Sequence, residues 1–287
     1  MTPCPLAQSD AYANTLRALG TRVRIDHVGD QGRCLIQTRH LPLLGPVNLI
    51  SRGPVGLCPS DTANYLSDLA LKGPLVVNTA DTGLASNGHI RLIAPRTVAL
   101  LPLSEPRQMR TNLHQNWRNA LKRAERGTLR ITNAPYHPIQ HAWLIDAEHA
   151  QQKANRYRNW PRRLLDIFAS ENPGQARVVT ACAGKTPVAA MLILCHRPWA
   201  TYHLGVTTDA GRKAKAHNLT LWHAMSWLAR RGFDMLDLGL LTGPDSLDRF
   251  KLRTGATKQH LGGTWLRLPR PFRRQFPSIH SPSGQKA

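Results

Sequence analysis

Acidic side chains are scarce in this chain of 287 residues: 17 Asp and Glu stand against 38 Lys and Arg, for a formal charge of +21. Such a balance points to polyanionic company: nucleic acid, a nucleotide-bearing donor, an acidic carrier protein or an anionic membrane surface. The alternative is arginine used as a general solvating residue, since the basic positions are spread along the whole sequence. Cysteine is also sparse. Cys4, Cys34, Cys58, Cys182 and Cys195 are odd in number, widely spaced and form no C-x-x-C pair. This excludes a disulfide framework or thiolate metal site and fits a reducing, cytoplasmic setting in which the thiols are inert fillers of apolar runs. No apolar run has the length of a bilayer span, and the N-terminus lacks the basic-then-apolar pattern of a secretory signal. Missing too are a G-x-S-x-G elbow, a Walker A loop, a G-x-G-x-x-G fingerprint and H-E-x-x-H. His137 and His141 have helical spacing, but Pro138 lies between them, and no metal site is expected.

What is present suits a folded α/β protein, because a hydrophobic content of 41% can build a sizeable core. Ser9 or Asp10 can cap a helix over 10–19, followed by strands over 21–28, 33–38 and 46–50. A helix over 60–71, capped by Ser60 or Asp61, leads to strands over 75–78 and 96–103. The clearest periodicity predicts one helix over 105–126, with Leu113, Trp117, Leu121 and Ala124 on one face and Arg110, His114, Arg118, Lys122 and Arg126 on another. Helices over 139–153 and 161–170 follow. Strands 176–182 and 187–196 form a hairpin about Gly184, and a third strand covers 200–206. A helix over 218–231 ends at Gly232, and a strand runs over 235–240. This order predicts a mixed sheet flanked by helices. A Pro-, Ser- and base-rich tail over 271–287 reads as disordered.

Four segments in order carry a family likeness: Ile50-Ser51-Arg52-Gly53-Pro54-Val55; Trp117 to Gly127; Ala200 to Gly205 with Leu221-Trp222 and Gly232 to Gly239; and Arg249-Phe250-Lys251-Leu252-Arg253-Thr254-Gly255-Ala256. Together, over about residues 10–268, they resemble the FemABX-like branch of the GNAT N-acyltransferase superfamily. The resemblance implies two GNAT-like subdomains, a degenerate one over 1–104 and a working acyltransferase domain over 105–270. It also implies transfer of an acyl or aminoacyl group to an amine, with no bound cofactor. The donor would be a co-substrate: aminoacyl-tRNA, an acyl-carrier protein or acyl-CoA. A non-catalytic tRNA- or nucleic-acid-binding relative is the competing reading. Two departures matter. Gly211-Arg212-Lys213-Ala214-Lys215-Ala216 lacks the central glycine of the usual acetyl-CoA loop, and Thr254 stands where an aromatic is usual.

Amide formation needs a placed amine, donors for the developing oxyanion and charge support for the leaving group. The resemblance singles out Lys251 for that charge support. Asp237, on a late strand, is a candidate proton acceptor or an arginine's ion-pair partner. Arg118 and Lys122, one helical turn apart, can clamp a phosphate or carboxylate or form a solvated face. Tyr202 either orients the acceptor or is a hydrogen-bonded core tyrosine, and Phe250 either packs the core or meets a nucleobase. The match to relatives adds Arg52, Arg156 and Tyr157 to the substrate-binding set.

Overall fold

The computed structural model describes residues 3–43, 45–80, 83–243 and 246–269. The expected tail over 271–287 lies outside them. In chain order the elements are α1 (Asp10–Ala18), β1 (Arg22–Val28), β2 (Gly32–Leu41), β3 (Gly45–Ser51), α2 (Pro59–Asp68), β4 (Leu75–Thr79), β5 (Ile90–Ile93) and β6 (Arg96–Pro102). Then come α3 (Pro106–Asn112), α4 (Gln115–Glu125), β7 (Arg130–Pro135), α5 (Ala142–Asn155), α6 (Arg162–Glu171), β8 (Ala176–Ala183), β9 (Thr186–His196) and β10 (Trp199–Thr207). The chain continues through α7 (Asp209–Lys213), α8 (Ala216–Arg230), β11 (Met235–Leu241), α9 (Ser246–Leu252), β12 (Thr257–Leu261) and β13 (Gly263–Arg267).

Two compact units result, and neither is contiguous. One holds residues 1–23 and 96–260, the other 24–95 and 261–287. A single cut near residue 104 therefore does not describe them. Helix α1 joins the larger unit because Asn172, at the end of α6, donates its side-chain amide to the Ala11 carbonyl (3.1 Å) and to Thr15 Oγ1 (3.3 Å).

The larger unit is built on a sheet ordered β12-β6-β11-β10-β9-β8-β7. Strand β9 is buried along nearly its whole length, as expected of a central strand covered on both faces. One core joins α4 and α8 to the sheet through Trp117, Leu121, Leu221, Met225 and Leu236. A second gathers α5, α6 and the N-terminal segment around Leu144, Phe168 and Leu192. The predicted hairpin forms, with Ala183 paired to Thr186.

The helix expected over 105–126 is broken. Leu113 is extended (ψ 135°) and His114 caps α4, its Nδ1 accepting from the Asn116 amide at 3.2 Å. The break is held by tertiary bonds: His114 N donates to Arg253 O (3.0 Å), and Arg118 donates to the carbonyls of Thr111 (2.9 Å) and Leu113 (2.8 Å).

In the smaller unit, the sheet order is β1-β2-β3-β4-β13-β5, with Ile36, Ile50, Leu66, Val77 and Trp265 in its core. Helix α2 is capped by the sulfur of Cys58, which accepts from Asp61 N (3.4 Å), rather than by Ser60 or Asp61. Cys58 is exposed, so it is not an apolar filler. At the other end of α2 the buried guanidinium of Arg267 donates to the carbonyls of Leu66, Ser67 and Leu69. Arg267→Ala leaves these carbonyls without their donor and should destabilise this unit by about 2–3 kcal/mol, read as a lower urea midpoint.

Candidate active site

The sheet of the larger unit opens at one place. Strands β10 and β11 pair in parallel over only three residues, from Trp199↔Met235 to Thr201↔Asp237. Beyond that point both strands carry irregularities, β10 between Tyr202 and Leu204 and β11 between Asp237 and Gly239. Extra residues bend and twist a strand, so the ladder between the two strands ends there and their edges part. Asp237 stabilises this departure: its Oδ1 accepts from Gly239 N at 2.8 Å, and Gly239 adopts a left-handed φ of 80°. The carboxyl is 2% exposed, so its visible task is to shape β11.

Tyr202 stands at the opening, its hydroxyl 3.2 Å from His217 Nε2 near the start of α8. Gly205 permits this contact, since a Cβ there would lie 2.1 Å from the Tyr202 hydroxyl and 2.7 Å from His217 Cε1. Burial lowers the His217 pKa to about 4, so the ring is neutral near pH 7, while burial raises that of the Tyr202 phenol and keeps its proton on. A protonated phenol beside a neutral imidazole can donate to a developing oxyanion or a leaving oxygen. His217 packs on Phe250 (centroids 5.3 Å apart), and Phe250 packs on Trp117 at 5.9 Å. A row of rings thus runs from the sheet opening to an open groove.

That groove has a volume of about 630 Å³. Trp117 and Phe250 line it together with four cationic residues: Arg123 of α4, Lys215 before α8, and Arg249 and Arg253 at α9. Side-chain amides come from Asn116, Asn119 and Asn218, and the described lining includes no carboxylate. Cationic forks and amide donors without a competing acid make an anion site, phosphate above all. Lys215, in the left-handed region (φ 56°), also adjoins the first turn of α8, where the helix dipole favours negative charge.

The sequence-derived residues fall into distinct groups. Phe250 lines the groove and Tyr202 the opening. Lys251, 7% exposed, does not line the groove; its Nζ donates to the Leu240 carbonyl at 2.6 Å, tying α9 to β11. Arg118 is occupied by the backbone of the α3–α4 break, and Lys122 is exposed. Neither is part of the groove lining, whereas the neighbouring Arg123 is. Arg156 ends α5 with a φ of 53°, and the Tyr157 hydroxyl accepts from Gln151 at 3.0 Å. Arg52, with a φ of 51°, follows β3 in the smaller unit. Arg123, Lys215, Arg249, Arg253 and His217 are not among the site residues expected from the sequence. The i,i+4 pair Arg249/Arg253 flanking Phe250 was the available signal. Among the described residues no group of three or more His, Cys, Asp or Glu is placed to hold a metal, and His141 Nδ1 accepts from the His137 amide (2.9 Å).

Comparison with known proteins bears on the family and the fold. The model of the acetyltransferase (GNAT) domain matches residues 107–252, half of the chain. A solved structure of FemX aligns with a TM-score of 0.76 at 13% identity, over 94% of each chain. The C-terminal domain of a putative lysylphosphatidylglycerol synthetase from Agrobacterium fabrum aligns at 0.58 and 15% identity, over 90% of this chain and 86% of that one. A tandem GNAT protein from the clavulanic acid biosynthesis pathway reaches 0.51 at 12% identity, over 93% and 90%. No curated protein matches in sequence. At such identities the structural likeness establishes fold alone, whereas the domain match establishes kinship. The chain therefore belongs to the acetyltransferase (GNAT) domain family and carries a mixed α/β fold similar to that of FemX.

Proposed function

We propose that this protein is an N-acyltransferase that moves an acyl or aminoacyl group from a phosphate-bearing donor to an amine, forming an amide. The observation that carries this reading is the cationic groove, without a carboxylate among its described lining residues, linked by Trp117, Phe250 and His217 to Tyr202 at the sheet opening. Donor phosphates occupy the groove, and the acyl carbonyl reaches the opening. There the amine nitrogen attacks the carbonyl carbon, the Tyr202 hydroxyl supports the oxyanion, and the donor's oxygen or sulfur leaves with a proton.

Of the three donors expected, aminoacyl-tRNA is the one preferred here. The segment Gly211 to Ala216 supports this preference over acyl-CoA. Its amides are bonded locally: Gly211 N to Thr208 Oγ1, Arg212 N to Thr208 O, Ala214 N to Ala210 O and Lys215 N to Arg212 O. Gly211 itself is needed for packing, since a Cβ there would lie 2.2 Å from the Val188 carbonyl. Backbone amides committed in this way are poor cradles for a pyrophosphate. Among the described residues no helix is long and apolar enough to cross a membrane.

Transfer assays with aminoacyl-tRNA, acyl-CoA and an acyl-carrier protein test the reading. In the double variant Arg123→Glu/Arg253→Glu, each lost charged contact should weaken donor binding about tenfold or more, so the donor KM rises by about 100-fold. The shallower salt dependence of binding should show the lost phosphate contacts directly. An unchanged donor KM, or no amide formed from any of the three donors, defeats the proposal.

A further inference from the structure

Helix α5 contains a carboxylate that the surrounding chain leaves half unanswered. Glu148 is 3% exposed. Its Oε1 accepts from Asn159 Nδ2 at 3.1 Å and from Gln152 Nε2 at 3.4 Å. Its Oε2 is fully buried, and no hydrogen-bond partner for it exists among the described residues. Nor does any described Lys, Arg or His form an ion pair with it, in a chain carrying 38 Lys and Arg. Burying an ionised oxygen without a partner is costly, and such a site is normally neutralised by a paired cation. With so many cations in the sequence, the absence of one here favours a cation supplied from outside.

The surroundings narrow its chemistry. Asn159 also donates to the His203 carbonyl at 3.1 Å, which fixes the Glu148 carboxylate to the bulged stretch of β10. Trp160 lies on His203 with ring centroids 4.8 Å apart. Burial raises the Tyr157 pKa to about 12, and the charge of Glu148 and a hydrogen bond to it push the same way; the Tyr202 phenol, raised chiefly by burial, also feels that charge. One carboxylate oxygen among tyrosine and tryptophan rings suits a compact organic cation. It does not suit a divalent metal, for which no ligand cluster is present among the described residues.

We infer that Glu148 is the anchor for a primary ammonium group, with Oε2 accepting its N–H and the rings of Tyr157 and Tyr202 flanking it. This deepens the N-acyltransferase reading and rests on it for the identity of the ammonium group. That group belongs either to the acceptor before it loses its proton or to the free α-amino group of an aminoacyl donor.

The test is a binding measurement that needs no turnover. Nα-acetyl-lysine methylamide serves as an acceptor-like probe, alanine amide as a donor-like probe, and Nα-acetyl-norleucine methylamide and lactamide as their neutral counterparts. The parent protein should bind at least one ammonium probe about tenfold or more tightly than its neutral counterpart. Which probe wins identifies the source. Glu148→Gln should melt at the same temperature as the parent or higher, because it removes an unpaired buried charge, and should lose the ammonium preference. Glu148→Asp, which keeps the charge, should retain part of it and covers the case in which the glutamine variant does not fold. The inference is overturned if the parent shows no ammonium preference. It is equally overturned if Glu148→Gln is destabilised yet binds as before, which would make the carboxylate structural. Ammonium binding without any amide formation would leave the inference standing and defeat only the transfer reading.

Discussion

Alanine in place of Lys251 is expected to cut amide transfer by about 100-fold or more and to lower stability by about 2–4 kcal/mol. The ammonium group is almost wholly buried and holds the Leu240 carbonyl at 2.6 Å. The Lys251 carbonyl in turn accepts from Thr254 Oγ1 (2.6 Å), which gives the small hydroxyl residue at that position a task. Removing the side chain opens a void beneath α9 and takes away a charged donor next to the strand that departs from the sheet. Two further measurements separate the contributions. Lys251→Met keeps the apolar stem, so it should recover much of the packing while transfer stays low. The salt slope of donor binding should be almost unaffected in either variant, because this cation is held inside the protein, whereas the Arg123/Arg253 double variant should flatten it. Full transfer by Lys251→Met would show that the charge has no part in the chemistry. A protein that merely binds nucleic acid would give no transfer to lose, and then only its affinity would respond.

The strand–strand–strand–helix–strand core of the larger unit was legible in the sequence because its signals are local. Continuous apolar runs mark β8 and β9, a two-residue turn joins them, and Gly232 (φ 73°) ends α8. What escaped depends on contacts between distant segments. The α3–α4 break cannot be read from a helical stripe that continues through Leu113; it exists because Arg253 and Arg118 bond the interrupted backbone. Helix α1 lies early in the chain yet packs in the larger unit through Asn172, and β13 completes the smaller sheet beside β4 from the far end of the sequence. The candidate site divides in the same way. Phe250 lines the groove while packing against the core, and Tyr202 lies on β10 beside its irregularity with its hydroxyl near His217. Arg118 and Lys122 had the spacing of a clamp, but spacing does not reveal that one guanidinium is already engaged by carbonyls. Glu148 was invisible because a glutamate on a mostly polar helix has no sequence signature of burial, and Asn159, its hydrogen-bond donor, lies beyond the end of that helix.

Acidification should destabilise the larger unit well before its carboxylates titrate. Burial lowers the pKa values of His203 and His217 from the ordinary 6.5 to about 4. His141 and His223 are shifted in the same direction by the same cause. As pH falls through 6.5, the unfolded chain takes up protons on these rings while the folded protein does not. The unfolded state then binds more protons, so stability rises with pH across this window and is lost progressively between about 6.5 and 4. Each fully shifted ring contributes a slope of at most about 1.4 kcal/mol per pH unit. Since His203 and His217 keep some solvent exposure, the two together should account for about 2–4 kcal/mol over the window. Urea unfolding at pH 7.5, 6.0 and 5.0 reads this directly, and His203→Gln/His217→Gln should flatten the curve. Activity of the folded protein should hold over most of this range, because His217 stays neutral, and should fall only as pH nears 4, where a charged His217 would repel a cationic amine. Stability that stays level or increases from pH 7 to pH 5 would mean that the rings take up protons in the folded state, and the neutral Tyr202–His217 pair would have to be abandoned.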